Sequence, residues 1–317
     1  MQKTSPPRES QPSRKSPGAA PQATGKTAQV IEEIRPGQSI ELLKELHILT
    51  REGRLNQDTR RKLKQVYHLY RFIEPLLEEM AEVAGKERGF TLADHGAGKS
   101  YLGFILYDLF FNVAHAGQPV AGHIYGIETR AELVEKSREL AARLGFANMS
   151  FLNLLVAEAT TSSELPPTVD IVTALHACDT ATDDAIAFGL AKQARHMVLV
   201  PCCQAEVAGV LKRNKVLAMG KTPLAELWRH PLHTREFGSQ ITNVLRCLQL
   251  EASGYQVTVT ELVGWEHSMK NELILASRPA MPSAGKTRAA QQRLQQVIEQ
   301  LGLGDLTARF AVTADAV

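Results

Sequence analysis

The sequence predicts an α/β protein built on a doubly wound, mostly parallel sheet. Apolar runs of strand length alternate with segments of helical periodicity from about residue 90 to about residue 280. A glycine-rich turn joins the first run to a helix, and strand–helix–strand spacing of this kind gives parallel neighbours through a right-handed crossover. The last two runs are joined by a connection too short for a crossover helix, so these strands are predicted to be antiparallel.

The composition fits one folded domain with appendages. The chain has 317 residues, of which 44% are apolar, so it can bury a full core. Its formal net charge of +2 does not by itself indicate a nucleic-acid partner. The chain starts without the apolar stretch of a signal peptide, and no run approaches the roughly 20 apolar residues of a membrane helix. Four cysteines, two of them adjacent at Cys202 and Cys203, favour reduced thiols and a cytoplasmic location.

Four segments are predicted along the chain. Residues 1–38 are rich in Pro, Ser, Gln and Lys and are predicted to form a disordered tail. Residues 39–88 show two stretches of helical apolar spacing, which predicts an N-terminal helical extension. Residues 89–280 form the predicted α/β domain. Residues 281–317 are predicted to hold one helix, Gly285–Leu301, followed by a tail.

Basic residues cluster between the two predicted helices of the extension. The stretch REGRLNQDTRRKLKQ contains the six cations Arg51, Arg54, Arg60, Arg61, Lys62 and Lys64. A solvated helix face would explain such a run, and so would an electrostatic footprint for RNA or another polyanion. The residues alone leave both explanations open.

Strands and helices alternate within the predicted α/β domain. The predicted strands are a run beginning at Phe90, a run ending at Glu128, and the stretches Asn148–Leu155, Val169–Leu175, His196–Val200, Tyr255–Val263 and Asn271–Ser277. The predicted helices are Tyr101–Ala114, Ala131–Leu144, a helix whose start Thr180 and Asp183 would cap, and a helix from about Ser239 to Ala252. Gly145 and Gly254 end two of these helices.

The glycine turn after the first strand is the candidate ligand site, because glycines let backbone amides approach a ligand. The letters GKS supply the second half of a phosphate-binding loop, but Ala93 stands where its first glycine belongs. A dinucleotide fingerprint requires Gly-x-Gly-x-x-Gly, and Gly96, Gly98 and Gly103 do not hold that spacing. A turn that only packs a helix on the sheet would also contain glycines.

An S-adenosylmethionine (SAM) site requires three features in order, and the sequence has all of them. Asp94 is a carboxylate at the end of the first strand, Gly96 and Gly98 admit the amino-acid part of the ligand, and Glu128 ends the second strand where ribose hydroxyls bind. Lys99 is expected at the rim. The full predicted cofactor site comprises Asp94, Gly96, Ala97, Gly98, Lys99, Glu128, Thr129, Asn153 and His176.

Several stretches resemble class I SAM-dependent methyltransferases. DHGAGKSYLG resembles their first motif and YGIETRAELVEKSRELAARLGF their second. LHACDTATDDAI, VPCC and EHSMKN narrow the resemblance to a methyltransferase-domain subfamily found in bacterial proteins and in eukaryotic methyltransferase-like proteins. The resemblance covers roughly Leu63–Ser277 and implies a Rossmann-like, seven-stranded sheet and SAM as cofactor. One departure is MSFLNLL, which lacks the acidic residue that often contacts adenine and leaves only Asn153 and Glu158 nearby.

The candidate catalytic residues follow the fourth and fifth strands, because ligands of an open parallel sheet bind beyond the carboxyl ends of its strands. His176 could serve as a general base or orient a nucleophile. The cysteines could line a tight pocket or supply a thiolate, since RNA cytosine-C5 methyltransferases place cysteines after the same strands. A zinc site would require a Cys-x-x-Cys pair, which is missing, so no metal is predicted. The predicted catalytic set is His176, Cys178, Asp179, Cys202 and Cys203.

Two further stretches are predicted to contact the substrate. EHSMKN, between the last two strands, offers His267 and Lys270. An irregular segment after the fifth strand is expected to build the substrate wall with Trp228, His230, His233 and Arg235. The predicted function is a SAM-dependent methyltransferase acting on RNA, either tRNA or rRNA. The alternatives are a protein or small-molecule methyltransferase, a non-catalytic SAM- or RNA-binding module, and a nucleotide triphosphatase.

Overall fold

Strands and helices alternate along most of the chain in a computed structural model. The structure describes residues 33–175, 177, 179–201, 204–214, 223–262 and 272–312. The predictions for the tail before residue 33, for His176 and the three cysteines of the predicted site, and for EHSMKN lie outside these residues.

The described residues form one seven-stranded sheet in the order β3-β2-β1-β4-β5-β7-β6. The strands are β1 (Phe90–His95), β2 (Gly122–Glu128), β3 (Met149–Asn153), β4 (Ile171–Leu175), β5 (His196–Val200), β6 (Gln256–Glu261) and β7 (Glu272–Ser277). β1 to β5 are parallel to one another, whereas β7 is antiparallel to both β5 and β6. The predicted sheet and its antiparallel last hairpin are therefore confirmed.

Helices cover both faces of the sheet. They are α1 (Ile40–Glu45), α2 (Gln57–Arg88), α3 (Tyr101–Tyr107), α4 (Ala131–Leu144), α5 (Val156–Thr161), α6 (Ala181–Ala191), α7 (Glu206–Arg213), α8 (Pro231–Ala252) and α9 (Ala284–Gln300). Short 3₁₀ helices occupy Pro223–Trp228 and Gly304–Leu306. Every residue of β5 is buried, as expected for a central strand covered on both sides. One hydrophobic cluster lies around the sheet, and α7, α8 and α9 share a second hydrophobic cluster that includes Trp228, Leu294 and Phe310.

Three helix boundaries differ from the prediction. α2 begins at Gln57, where Asn56 and Thr59 form a reciprocal capping box, so the basic residues from position 60 onward lie on the helix and not before it. α8 begins at Pro231, so His233 and Arg235 lie on a helix rather than in an irregular segment. The helix predicted over Tyr101–Ala114 is α-helical only to Tyr107 and continues as a π-helix.

The π-helical segment attaches the N-terminal extension to the α/β domain. Buried Asp108 accepts a hydrogen bond from the backbone amide of Ser39 at 3.0 Å and one from the side chain of Asn112 at 3.2 Å. Ser39 in turn caps α1 by accepting from the amide of Leu42 at 3.1 Å. π-helical turns often occur at functional sites, and here the turn presents a carboxylate to the start of the extension.

Gly238→Ala is expected to destabilise the protein by about 1–3 kcal/mol, because α7 and α8 touch at this glycine. A Cβ at Gly238 would lie 2.6 Å from the Cβ and 2.7 Å from the Cα of Ala208, so the helices would have to separate. Gly209→Ala on α7 is the matched control. Its Cβ would meet only the Arg213 side chain at 3.6 Å, and it is expected to stabilise α7 by about 0.5–1 kcal/mol. Urea unfolding of both variants checks the pair, and shifts in the same direction would contradict this account of the contact.

In the described part of the chain, no helix combines the length and the apolar content that crossing a membrane requires.

Candidate active site

The glycine turn between β1 and α3 has a backbone that only small residues adopt easily. Gly96 and Gly98 both have positive φ angles, 66° and 58°. Ser100 is also left-handed, at 49°, although it carries a side chain. Its buried hydroxyl occupies a hollow between Gly103 and Gly126, where added Cβ atoms would lie 2.8 and 3.3 Å from the oxygen. Gly103 therefore leaves room for the Ser100 hydroxyl, and this packing role does not require the spacing of a dinucleotide fingerprint.

A pocket of about 490 Å³ opens beside this turn. Its size falls within the roughly 300–1,000 Å³ of small-molecule sites. The lining comes from the turn, from the end of β4 and from helix α2: Lys62, Gln65, Val66, Leu69, Asp94, Gly96, Ala97, Gly98, Lys99, Tyr101, Leu102, Arg130 and Leu175. The helical extension thus forms one wall of the pocket, a contribution that the sequence did not predict.

Asp94 is a buried carboxylate in this pocket, with only 2% of its surface exposed. It accepts a hydrogen bond from the hydroxyl of Thr173 on β4 at 2.8 Å. Burial raises the pKa of Asp94 to about 7, against the opposing hydrogen bonds from Thr173 and from the backbone of Gly103. A cationic ligand in the pocket would favour the ionised form of this carboxylate.

Glu128, at the end of β2, holds the turn from the other side. Its carboxylate accepts from the amide of Gly98 at 2.7 Å, from the amide and Nε of Arg130 at 3.0 Å each, and from Nη2 of Arg130 at 3.2 Å. Partial burial works against ionisation, but the hydrogen bonds from Arg130 and Gly98 outweigh it and lower the pKa of Glu128 to about 2. The Arg130 side chain is 59% exposed, so it can leave this carboxylate without disturbing the core.

The pocket fits SAM on four observations. The glycines provide a cradle where a side chain would intrude, and Asp94 offers a carboxylate to the positive charges of the ligand. The hydroxyl of Tyr101, a pocket residue, is buried and has no hydrogen-bond partner within the described part of the chain. Glu128 carries the negative charge that ribose hydroxyls would meet once Arg130 moves away.

Ala97 and Lys99, two further residues of the predicted cofactor site, line this pocket, whereas Thr129 is not among the lining residues. Lys99 is exposed at the rim, and the amide of Ala97 donates to the carbonyl oxygen of Ile127 at 3.0 Å. The hydroxyl of Thr129 donates to Glu128 at 3.3 Å.

The two residues considered for adenine contacts have other partners in the structure. Asn153 donates to the backbone oxygen of Glu128 at 3.0 Å and is not among the lining residues. The carboxylate of Glu158 accepts from the amide of Leu155 at 2.9 Å, so it caps α5.

Asp179 is the one predicted catalytic residue that the structure describes. Its φ angle is 52°, in the left-handed region, and its carboxylate accepts from the amide of Ala205 at 2.9 Å. Asp179 therefore joins the segment after β4 to the segment after β5. Asp183 does not cap α6 as predicted, because its carboxylate pairs with Arg246 of α8 at 2.7 Å.

A metal centre and a reactive thiol find no support among the described residues. No group of three His, Cys, Asp or Glu side chains in that part of the chain could hold a metal ion. Burial raises the pKa of Cys247, the one cysteine described, to about 12, so its thiol stays protonated and unreactive. The cysteines considered as nucleophiles lie outside the described residues.

Sequence reasoning missed two buried polar residues beside the turn. His95 follows Asp94 directly, and neither of its ring nitrogens has a partner in the described part of the chain. Burial lowers the pKa of His95 to about 4 despite the nearby Glu128, so the ring is neutral at pH 7. Tyr101 is the other. Both residues lie next to the glycine turn in the sequence, His95 in the letters DHG and Tyr101 in the letters KSY. Their position beside the turn was the signal that could have identified them.

Residues 61–210 match the family model of a methyltransferase domain. This match supports the predicted methyltransferase and covers just under half of the chain. The cofactor of such an enzyme is SAM, and every residue that lines the pocket, from Lys62 to Leu175, lies within the matched range. No curated protein matches the sequence closely enough to count as a relative.

Several solved methyltransferase structures are similar to this chain at low identity. Magnesium protoporphyrin IX methyltransferase from Synechocystis, with bound SAH, is 14% identical over 75% of this chain and 93% of its own, with a TM-score of 0.40. A protein from Klebsiella pneumoniae that is described as an O-methyltransferase is 12% identical over 77% of this chain and 92% of its own, with a TM-score of 0.43. Fibrillarin from Aeropyrum pernix, with bound SAM, is 14% identical over 63% of this chain and 73% of its own, with a TM-score of 0.35. Identities this low carry no information about the methyl acceptor.

Proposed function

We propose that the protein is a SAM-dependent methyltransferase whose acceptor is RNA. Bound SAM supplies a methyl group on a positively charged sulfur. The chain's own task is to hold the cofactor and the acceptor in line, because positioning provides much of the acceleration of such transfers. Asp94 would face the positive charges of the cofactor, the Gly96–Gly98 turn would admit its amino-acid part, and Glu128 would bind its ribose.

The observation that favours RNA is the continuity between the basic surface and the cofactor pocket. All six cations of the predicted footprint are exposed, and Lys62 is also a pocket-lining residue. Lys99 and Arg130 add two further cations to the same lining. A phosphate backbone lying along the start of α2 would therefore be drawn to the place where methyl transfer occurs.

Lys64→Glu is expected to weaken RNA binding and to reduce the slope of log affinity against log salt concentration by about 1 or more. Lys64 is exposed on α2 and does not line the pocket, so SAM affinity should stay at the wild-type value. The measurement is fluorescence titration with total RNA from cells lacking the protein, followed by transfer of labelled methyl groups from SAM to that RNA.

Lys286→Glu makes the same charge change at an exposed position on α9 and is the matched control. It should leave RNA affinity unchanged. Equal losses in the two variants would show a response to net charge alone, and methyl transfer to protein rather than RNA would overturn the proposed acceptor.

A further inference from the structure

A buried arginine of α8 ties down the segment that follows β4. Arg246 has 0% of its surface exposed, and its guanidinium donates to both carboxylate oxygens of Asp183 at 2.7 Å. Nη2 also donates to the backbone oxygen of Asp179 at 2.9 Å, and Nη1 donates to Oδ1 of Asn243 at 3.1 Å. One side chain therefore holds both the first turn of α6 and Asp179, the residue that precedes the N-cap of that helix.

The segment that follows β5 joins the same cluster. The amide of Ala205 donates to Oδ1 of Asp179 at 2.9 Å, and the side-chain amide of Gln204 donates to Oδ1 of Asn243 at 3.0 Å. Asn243 donates in turn to Glu272 on β7 at 2.7 Å. We call the residues Asp179, Asp183, Gln204, Asn243 and Arg246 the Arg246 cluster. It connects the ends of two neighbouring parallel strands through α8.

Stability alone is a weak reason for this arrangement. A buried ion pair loses about as much solvation as it gains in attraction, and apolar side chains of similar size often do as well. The planar guanidinium fork instead fixes directions, because its donors meet their acceptors at set angles. Asp179 keeps a left-handed backbone, a conformation that persists only where surrounding contacts enforce it. Arg246 supplies one of those contacts, at the carbonyl of Asp179, and the amide of Ala205 supplies another, at its carboxylate.

We propose that Arg246 is a positioning residue for the methyl acceptor. It sets the relative placement of residues 179–183 and residues 204–205, which lie beyond the carboxyl ends of β4 and β5, where substrates of an open parallel sheet bind. The cofactor pocket includes no member of the Arg246 cluster in its lining, so the effect falls on the acceptor and not on SAM. This inference rests on the proposed methyl transfer.

The test compares Arg246→Met with Arg246→Lys and with Leu294→Ala. Leu294 is buried in the second hydrophobic cluster, so its truncation destabilises the C-terminal helices without touching the Arg246 cluster. Each full-length variant is assayed for SAM affinity, for kcat and acceptor KM of methyl transfer, and for hydrogen exchange at the amide of Ala205.

Arg246→Met is expected to keep SAM affinity within about threefold, to lose at least tenfold in kcat/KM for the acceptor, and to exchange the Ala205 amide faster. Arg246→Lys should recover part of both losses, and Leu294→Ala should keep transfer and exchange at wild-type values. If Arg246→Met does not fold, the double variant Asp183→Leu with Arg246→Met removes both buried charges and takes its place.

Wild-type transfer by Arg246→Met, a proportional loss of SAM affinity, or an equal loss in Leu294→Ala would each overturn the positioning role. A wild-type chain that transfers no methyl group overturns the proposed function instead. In that case hydrogen exchange at the Ala205 amide still tests the inference. Faster exchange in Arg246→Met would support the connection between the segments that follow β4 and β5, and unchanged exchange would refute it.

Discussion

Glu128→Gln is expected to weaken SAM binding about 100-fold or more. The substitution removes the negative charge that would receive the ribose hydroxyls, and hydrogen bonds to a charged group contribute about 1.5–3 kcal/mol each. It also weakens the bond to the amide of Gly98, now 2.7 Å long, which holds the glycine turn in shape. Titration calorimetry with SAM and with SAH measures the loss.

Arg130→Gln is the control for this prediction, because Arg130 is the main partner of Glu128 in the structure. If the ribose replaces the guanidinium, removing the guanidinium should leave SAM affinity unchanged or raise it. A loss as large as that of Glu128→Gln would show that Arg130 itself binds the cofactor and that Glu128 acts only through it.

Asp94→Asn is expected to weaken SAM binding at least tenfold and to abolish a proton release that accompanies it. Because the pKa of Asp94 is about 7 without ligand, much of the group carries a proton at neutral pH. The positive charges of SAM would favour ionisation and expel that proton. Calorimetry at pH 7 in two buffers of different ionisation enthalpy measures the release, which should vanish in the variant. An equal release by the variant would place the titrating group elsewhere.

The same substitution should change how stability depends on pH. The pKa of Asp94 in the folded protein, about 7, lies above the ordinary aspartate value of 3.8, so the unfolded chain loses this proton first as pH rises. Between about pH 4 and pH 7 the group therefore lowers the free energy of unfolding by up to about 1.4 kcal/mol per pH unit. Asp94→Asn should lack this decline, whereas Asp305→Asn, at an exposed position, should retain it. Identical pH profiles for the two variants would contradict the buried-carboxylate account.

Local sequence features predicted the sheet and the glycine turn well. Short apolar runs in the sequence indicated the strands. The connection between the last two strands is too short for a crossover helix, so it predicted the antiparallel pairing of β6 and β7. The glycine turn was identified by what it lacks as much as by what it contains, since Ala93 and the position of Gly103 excluded two other ligand classes. Each of these signals depends on residues within a few positions of one another.

Contacts between distant positions were out of reach of the sequence. Arg246 lies 63 positions from Asp183, and the polar residues of α8 do not reveal which of them is fully buried. Asp183 was predicted as a cap because capping is the local role of an acidic residue at a helix start, and a tertiary partner took precedence. The pocket wall from α2 was missed for the same reason, because hydrophobic periodicity tells that Val66 and Leu69 face inward but not what they face.

Methyl transfer from labelled SAM to extract of cells lacking the protein tests the central claim most directly. The purified chain and its Glu128→Gln variant are each incubated with extract and tritiated SAM, and the label is then separated into RNA, protein and small molecules. We predict label in the RNA fraction with the wild-type chain and none with the variant. SAM binding without any labelled product would show a non-catalytic binding module. ATP binding that is lost on Lys99→Ala, with no SAM binding, would contradict the account altogether.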